Sequence, residues 1–134
     1  TQSTPGDKPQ MAEQLRLTLA RDLPGLRIVD WNARSDALAD HALVVNTTSL
    51  GMGGQPPLEI DLGKAPAGMA VSDIVYVPLE TPLLADARRR GLRPVEGLGM
   101  LLYQAIPGFK IWFGVEPVVD EELRRFVAAD LLPS

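Results

Sequence analysis

Three short stretches hold the residues whose types and spacing could do chemistry: Thr47-Thr-Ser-Leu-Gly-Met52, Asp73-Ile-Val-Tyr76 and Gly97-Leu-Gly-Met-Leu-Leu-Tyr-Gln104. The first puts small hydroxyls and a glycine just past the apolar run 42–46. In an open parallel α/β sheet, ligands sit outside the carboxyl ends of the strands, so a strand stopping here would deliver Thr48 and Ser49 to a ligand. The same residues also make an ordinary Asx or Ser turn. Tyr76 closes a second apolar run, either with its hydroxyl facing a cleft or as a half-buried strand tyrosine. The third stretch opens a helix. Gly97 lacks a Cβ and so permits a tight turn or a close ligand approach to the backbone. The unpaired N–H groups of a first helical turn suit an anionic or carbonyl-bearing ligand. Gly97 and Gln104 stand nearly two turns apart on one stripe. Gln104 is then either a core amide with a partner or a group reaching into a cleft.

Other chemistries find no residues. His41 is the only histidine, and beside Asp40 at a helix–strand junction it reads as a surface residue. There is no cysteine, hence no disulfide, thiol nucleophile or thiolate metal site, which fits a cytoplasmic home. Without a second histidine, and with carboxylates scattered off any ligand spacing, no metal site is expected. No G-x-G-x-x-G follows a strand, because Gly51-Met-Gly-Gly54 runs into Gln-Pro-Pro. The net charge of -4, from 13 basic and 17 acidic residues, and a single basic run at Arg88-Arg-Arg90 argue against nucleic acid. No apolar run reaches the length of a membrane span, and no secretory signal opens the chain.

The elements that must position these stretches follow from periodicity and breakers. The 134 residues suffice for one domain with a real core. Residues 1–10 read as a loop or frayed end. Met11, Leu15, Leu19 and Leu23 recur every four residues as an amphipathic helix ended by Pro24-Gly25. Residues 26–30 read as a strand, and Ser35 as the N-cap of a short helix through Asp40. Strands follow at 42–46 and 69–76. Thr81-Pro82 starts a helix with Leu83, Leu84 and Ala87 inward, Arg88 to Arg90 in its last turn and Gly91 as its stop. Arg93-Pro-Val95 is an edge strand, since proline cannot serve a central one. The helix from Gly97 runs toward Phe113, with Pro107-Gly108 expected to kink or split it. Pro117 starts a last helix with Val119, Leu123, Phe126, Val127 and Leu131 on one face. This alternation predicts an α/β fold, a mostly parallel sheet flanked by helices.

Taken together, the three stretches resemble the C-terminal half of the shikimate dehydrogenase family. Asn46-Thr-Thr-Ser-x-Gly-Met52 is similar to its Asn-x-Thr-Ser-x-Gly-Met loop. Asp73-Ile-Val-Tyr76 with Pro78, Thr81 and Pro82 is similar to its Asp-x-x-Tyr-x-Pro-x-x-Thr-Pro segment. Gly97-Leu-Gly-Met-Leu-x-x-Gln-Ala105 resembles its Gly-x-x-Met-Leu-x-x-Gln-Ala helix. Phe113-Gly114 falls where the family often has an aromatic-Gly pair. The resemblance implies a partial Rossmann-like domain and reduction of 3-dehydroshikimate to shikimate with NADPH. It implies that Thr48 and Ser49 line the cofactor cleft, that Ile74 packs near the nicotinamide and that Gly97 lets the backbone approach its carboxamide. Tyr76 and Gln104 would hydrogen-bond the substrate.

The resemblance also sets expectations about what is missing. The family's proton-transfer lysine and aspartate belong to an N-terminal substrate domain, and its Gly-rich pyrophosphate turn precedes the first helix. Residues 1–134 therefore read as the C-terminal part of a dinucleotide-binding domain, inactive alone, whose partner is the missing N-terminal half of the enzyme. Gly6-Asp7-Lys8 stands where the family commonly has Asn-Arg-Thr; an aspartate repels a 2′-phosphate and accepts from a ribose 2′-OH. That leaves a quinate/shikimate dehydrogenase using NAD as an alternative. A second alternative is a non-catalytic module reusing half of the fold, which predicts an exposed apolar edge or helix face and a homo-oligomer.

Overall fold

The computed structural model describes residues 7–131, with side chains from residue 10 onward. The chain divides into two compact units, Thr1–Arg34 and Ser35–Ser134.

In the first unit, helix α1 spans Asp7–Leu19, beginning inside the stretch expected to be a loop. On its surface the Arg16 guanidinium grips Glu13 one turn earlier, at 2.6 Å. Met11, Leu15 and Leu23 are exposed, so the four-residue stripe that predicts the helix buries little. Residues 26–30 form no strand. A strand exists only by pairing; here the Leu26 N–H turns back to the Leu23 carbonyl at 3.0 Å. The Asp30 side chain accepts the Asn32 N–H at 2.8 Å and starts a 3₁₀ turn over Trp31–Ala33. The Arg34 guanidinium lies over the Trp31 ring, 4.8 Å from its centroid.

The second unit carries the sheet. Strands β1 (Leu43–Asn46), β2 (Ala70–Asp73) and β3 (Arg93–Val95) run parallel in the order β1-β2-β3. Their register aligns Asn46 with Asp73 and Ser72 with Val95. Pro94 thus lies in an outer strand, where its missing N–H is tolerated. Helix α2 (Pro82–Arg89) joins β2 to β3. Leu83 and Ala87 of α2 pack with Leu38, Leu62, Met69, Val71 and Leu92 into the core. A leucine buried as fully as Leu83 contributes roughly 1.5–3 kcal/mol relative to an exposed one.

Helix α3 (Gly97–Phe113) and helix α4 (Glu121–Asp130) complete the unit. Arg124 of α4 forms an ion pair with Glu96, the N-cap residue of α3. α3 ends at Gly114, which has a φ of 69°.

Several boundaries differ from the sequence expectation. The helix after Ser35 is a 3₁₀ turn, Asp36–Asp40, and the Ser35 hydroxyl does not cap it. That hydroxyl accepts instead the Asp61 N–H at 2.9 Å. β2 stops at Asp73 rather than Tyr76 because the Asp73 side chain takes the Val75 N–H, at 3.0 Å, off the ladder. Pro107 is accommodated inside α3, which is not split. α4 starts at Glu121 rather than Pro117, because the Asp120 side chain accepts the Leu123 N–H at 2.9 Å and caps it. Phe126 faces solvent rather than sharing the face of Leu123 and Val127. No helix among the described residues is long and apolar enough to cross a membrane.

Candidate functional site

The carboxyl ends of β1 and β2 lie side by side, because parallel pairing brings Asn46 opposite Asp73. Both strands end on a buried polar residue, Asn46 at 3% and Asp73 at 0% exposure. Buried polar groups need partners, and these find each other. The Asn46 Nδ2 group donates to Asp73 Oδ1 at 3.0 Å and to the Leu50 carbonyl at 3.0 Å. Asn46 Oδ1 accepts the Thr48 N–H at 3.0 Å and the Thr48 hydroxyl at 2.7 Å. The Thr48 hydroxyl in turn accepts the Leu50 N–H at 3.1 Å. On the other side, the Thr81 hydroxyl donates to Asp73 Oδ2 at 2.7 Å. It also accepts the Leu84 N–H at 3.4 Å as the N-cap of α2. One polar chain therefore ties the loop after β1, the end of β2 and the start of α2. No buried side-chain nitrogen or oxygen is left unsatisfied among the described residues.

This network decides which hydroxyls stay uncommitted. The Thr48 hydroxyl has its proton committed to Asn46 and keeps only acceptor capacity. Ser49 is exposed, and its hydroxyl makes no hydrogen bond among the described residues. Gly51, at φ 90°, turns the loop in a backbone conformation that favours glycine, and it lies against the Thr81 side chain. The Gly53 N–H donates to the Val77 carbonyl at 3.0 Å, closing this loop onto the segment after β2. That segment holds half-buried Ile74 and Tyr76 and a cis Val77–Pro78 peptide.

α3 enters the same region through Gly97. A Cβ there would sit 2.6 Å from the Ile74 carbonyl oxygen and 2.7 Å from that of Val75. The missing side chain is thus accounted for by helix-on-backbone packing. Thr48, Ser49, Ile74, Tyr76 and Gly97 are gathered at one edge of the sheet. Gln104 stands farther along α3 and is exposed, which removes its reading as a core amide. His41 is exposed beside a hollow of about 380 Å³ bordered by residues 39–42 and 66–69. These residues precede β1 and β2, so the hollow lies at the opposite edge. No cluster of metal-ligating side chains occurs among the described residues.

The family model for the shikimate 5'-dehydrogenase C-terminal domain matches residues 97–121, the stretch that runs from Gly97 to the start of α4. A shikimate dehydrogenase (NADP(+)) of Acidiphilium cryptum is 72% identical over 116 residues, 87% of this chain and 42% of that protein. One of Rhodopseudomonas palustris (strain TIE-1) is 58% identical over 120 residues, 88% of this chain and 43% of that protein. The chain belongs to the shikimate dehydrogenase family. It corresponds to the family's C-terminal portion and spans less than half the length of these curated relatives. The fold agrees. The quinate dehydrogenase of Corynebacterium glutamicum in complex with NAD superposes with a TM-score of 0.75 at 29% identity, over 90% of this chain and 43% of that one. The shikimate 5-dehydrogenase of Thermus thermophilus in complex with NADP(H) and shikimate gives 0.66 at 31% identity, over 89% of this chain and 43% of that one.

The site residues named from sequence omit the polar frame of Asn46, Asp73 and Thr81. A signal was present: each is a polar residue at the border of an apolar run or at a helix cap. Their mutual contact was not readable, since Asn46 and Asp73 are 27 positions apart.

Proposed function

We propose that this chain is the cofactor-side part of an NADP-dependent shikimate dehydrogenase, which transfers hydride between NADP(H) and 3-dehydroshikimate or shikimate. The observation that carries the proposal is the 72% identity to an NADP(+) shikimate dehydrogenase across 116 residues. The residues present suit the nicotinamide end of a dinucleotide. A parallel sheet presents its carboxyl edge there, with the exposed, unpartnered Ser49 hydroxyl on one loop and half-buried Ile74 on the next. When bound, the dinucleotide supplies or accepts the hydride. Thr48 and Ser49 line its cleft, Ile74 offers an apolar surface to the ring, and Gly97 keeps the backbone close. Tyr76 and Gln104 hydrogen-bond the hydroxylated acid. These side chains bind and orient, which suits a reaction limited by placing a carbonyl carbon against a hydride donor.

No residue of this chain is assigned the proton transfer. That role, with the pyrophosphate turn, falls to an N-terminal half. The chain's share of 42% of its relative's length supports such a half. So does the exposed apolar surface of Ile111, Trp112 and Phe113 on α3 and Phe126 on α4. In this reading residues 1–134 are the C-terminal part of a dinucleotide-binding domain in a cytoplasmic enzyme of aromatic amino acid biosynthesis, without nucleic-acid or membrane partners. Self-association into a homo-oligomer is a further use of the same exposed surface.

A quinate/shikimate dehydrogenase using NAD is the second reading, favoured by the likeness to the NAD complex of a quinate dehydrogenase. Asp7, which bears on cofactor choice, has its side chain outside the described residues. Steady-state rates of the protein made from its complete reading frame, on shikimate and quinate with NADP+ and NAD+, separate the two. Faster turnover of shikimate with NADP+ is expected. Turnover of neither acid overturns the enzyme reading, and preference for quinate with NAD+ selects the second.

A further inference from the structure

The polar frame at the carboxyl edge of the sheet does more than fill space. Asn46 is saturated: both amide hydrogens are donated, to Leu50 and Asp73, and its carbonyl oxygen accepts twice from Thr48. It has nothing left for a ligand. Asp73 is fully buried and divides its two oxygens among Asn46, the Val75 N–H and Thr81. An apolar pair could fill the same volume. It would leave the backbone groups of Thr48, Leu50 and Val75 without partners and the two loops free to move apart. β1 and β2 are each only four residues long, so the strands alone give their loops little anchorage.

We infer that Asn46 and Asp73 are positioning residues, which lock the loop bearing Ser49 to the segment bearing Ile74 and Tyr76 so that both meet the ligands in one fixed geometry. The inference rests on the dehydrogenase reading above. The two residues differ in reach. Asn46 holds the Thr48–Leu50 turn directly, through contacts with both ends. Asp73 anchors Asn46 and also fixes the Val75 N–H, between Ile74 and Tyr76. Asn46 therefore governs the loop on the cofactor side, and Asp73 governs both.

The test is steady-state kinetics on the protein made from its complete reading frame, varying NADP+ and shikimate independently. Asn46→Ala should raise KM for NADP+ about tenfold and leave KM for shikimate within about twofold, a misplacement effect confined to one ligand. Asp73→Ala should raise both KM values by about tenfold. Leu92→Ala removes core packing at the amino end of β3; it should lower the melting temperature and leave both KM values unchanged. If the two polar variants instead lose kcat in proportion to the folded fraction, with unchanged KM values, the positioning role is overturned. A wild-type protein without turnover overturns the dehydrogenase reading and takes this inference with it. Should Asp73→Ala not fold, Asp73→Leu fills the volume and withdraws both acceptors, including the Oδ1 that holds Asn46 and the Val75 N–H. A rise of both KM values by about threefold then supports the role, and unchanged values overturn it.

Discussion

Replacing Gly97 with alanine sets two physical effects against each other. Gly97 lies in the first turn of α3 and has no positive φ, so alanine can adopt its backbone conformation. On helix propensity alone, the substitution should stabilise by about 0.5–1 kcal/mol. Sterics point the other way. The new Cβ would stand 2.6 Å from the Ile74 oxygen, 2.7 Å from the Ile74 carbonyl carbon and 2.7 Å from the Val75 oxygen. Ordinary contact begins at 3.4 Å, so the nearest atom is 0.8 Å too close. All three atoms are backbone, and no rotamer change relieves them. α3 must back away from the segment after β2, at an overpacking cost of about 1–3 kcal/mol with the upper end expected. After the propensity gain, a net loss of about 2 kcal/mol remains, or roughly 6–12 °C in melting temperature for a chain of this size. Urea titration followed by far-UV circular dichroism measures it. Gly99→Ala is the control, since a Cβ at Gly99 meets nothing within 4 Å; it should be neutral or stabilising by up to about 1 kcal/mol. A Gly97→Ala protein as stable as its Gly99→Ala counterpart would refute the packing argument and return Gly97 to a purely ligand-facing role.

Three further predictions concern other parts of the chain. Asp120→Ala removes the side chain that caps α4 and should cost about 1 kcal/mol in urea denaturation; hydrogen exchange should show the loss first at the amino end of α4. Glu13 has its carboxyl held below its ordinary value of 4.5 by the hydrogen bond from Arg16, with the Arg16 charge adding to it. Because the folded-state value is lowered, this contribution to α1 is present above pH 4.5 and fades as the pH falls through the lowered value. Glu13→Gln should therefore reduce helicity at neutral pH and match the parent in acid; an equal deficit at both pH values would show the pair to be irrelevant. In the protein made from its complete reading frame, Tyr76→Phe and Gln104→Ala should each raise KM for shikimate about fivefold, the worth of one hydrogen bond near 1 kcal/mol. Unchanged KM values for both would remove these residues from the acid's site.

The parallel sheet and its helices were readable wherever local chemistry decided the structure. α2 is the clearest case: Thr81 caps it, Pro82 opens it and Gly91, at φ 70°, ends the turn after it. The apolar runs of β1 and β2 and the outer position of β3 followed from the same breakers. Misreadings arose where a nearby side chain claimed a backbone N–H or where a run of strand-like composition found no ladder. Residues 26–30 have strand-like composition, but among the described residues no ladder forms there. β2 loses its last three expected residues to the Asp73 side chain. Pro117 and Asp120 both qualify as helix starters, and the one that can accept an N–H prevailed. At the site, motif resemblance picked out residues near the carboxyl edge of the sheet. The reason those loops keep their shape lies in contacts such as Asn46 to Asp73, which spacing along the chain does not reveal.

α3 is one unbroken rod of 17 residues, about 25 Å long, gripped at its origin where Gly97 presses on the Ile74 and Val75 carbonyls. Trp112, 79% exposed, rides near its far tip. Leverage follows from that shape. At a rise of about 1.5 Å per residue, a tilt of about 5° around the pinned end swings the indole through about 2 Å. In the reverse direction, whatever draws the indole sideways pries at two peptide groups next to Tyr76, and so turns a distant aromatic contact into a small shift of the segment after β2.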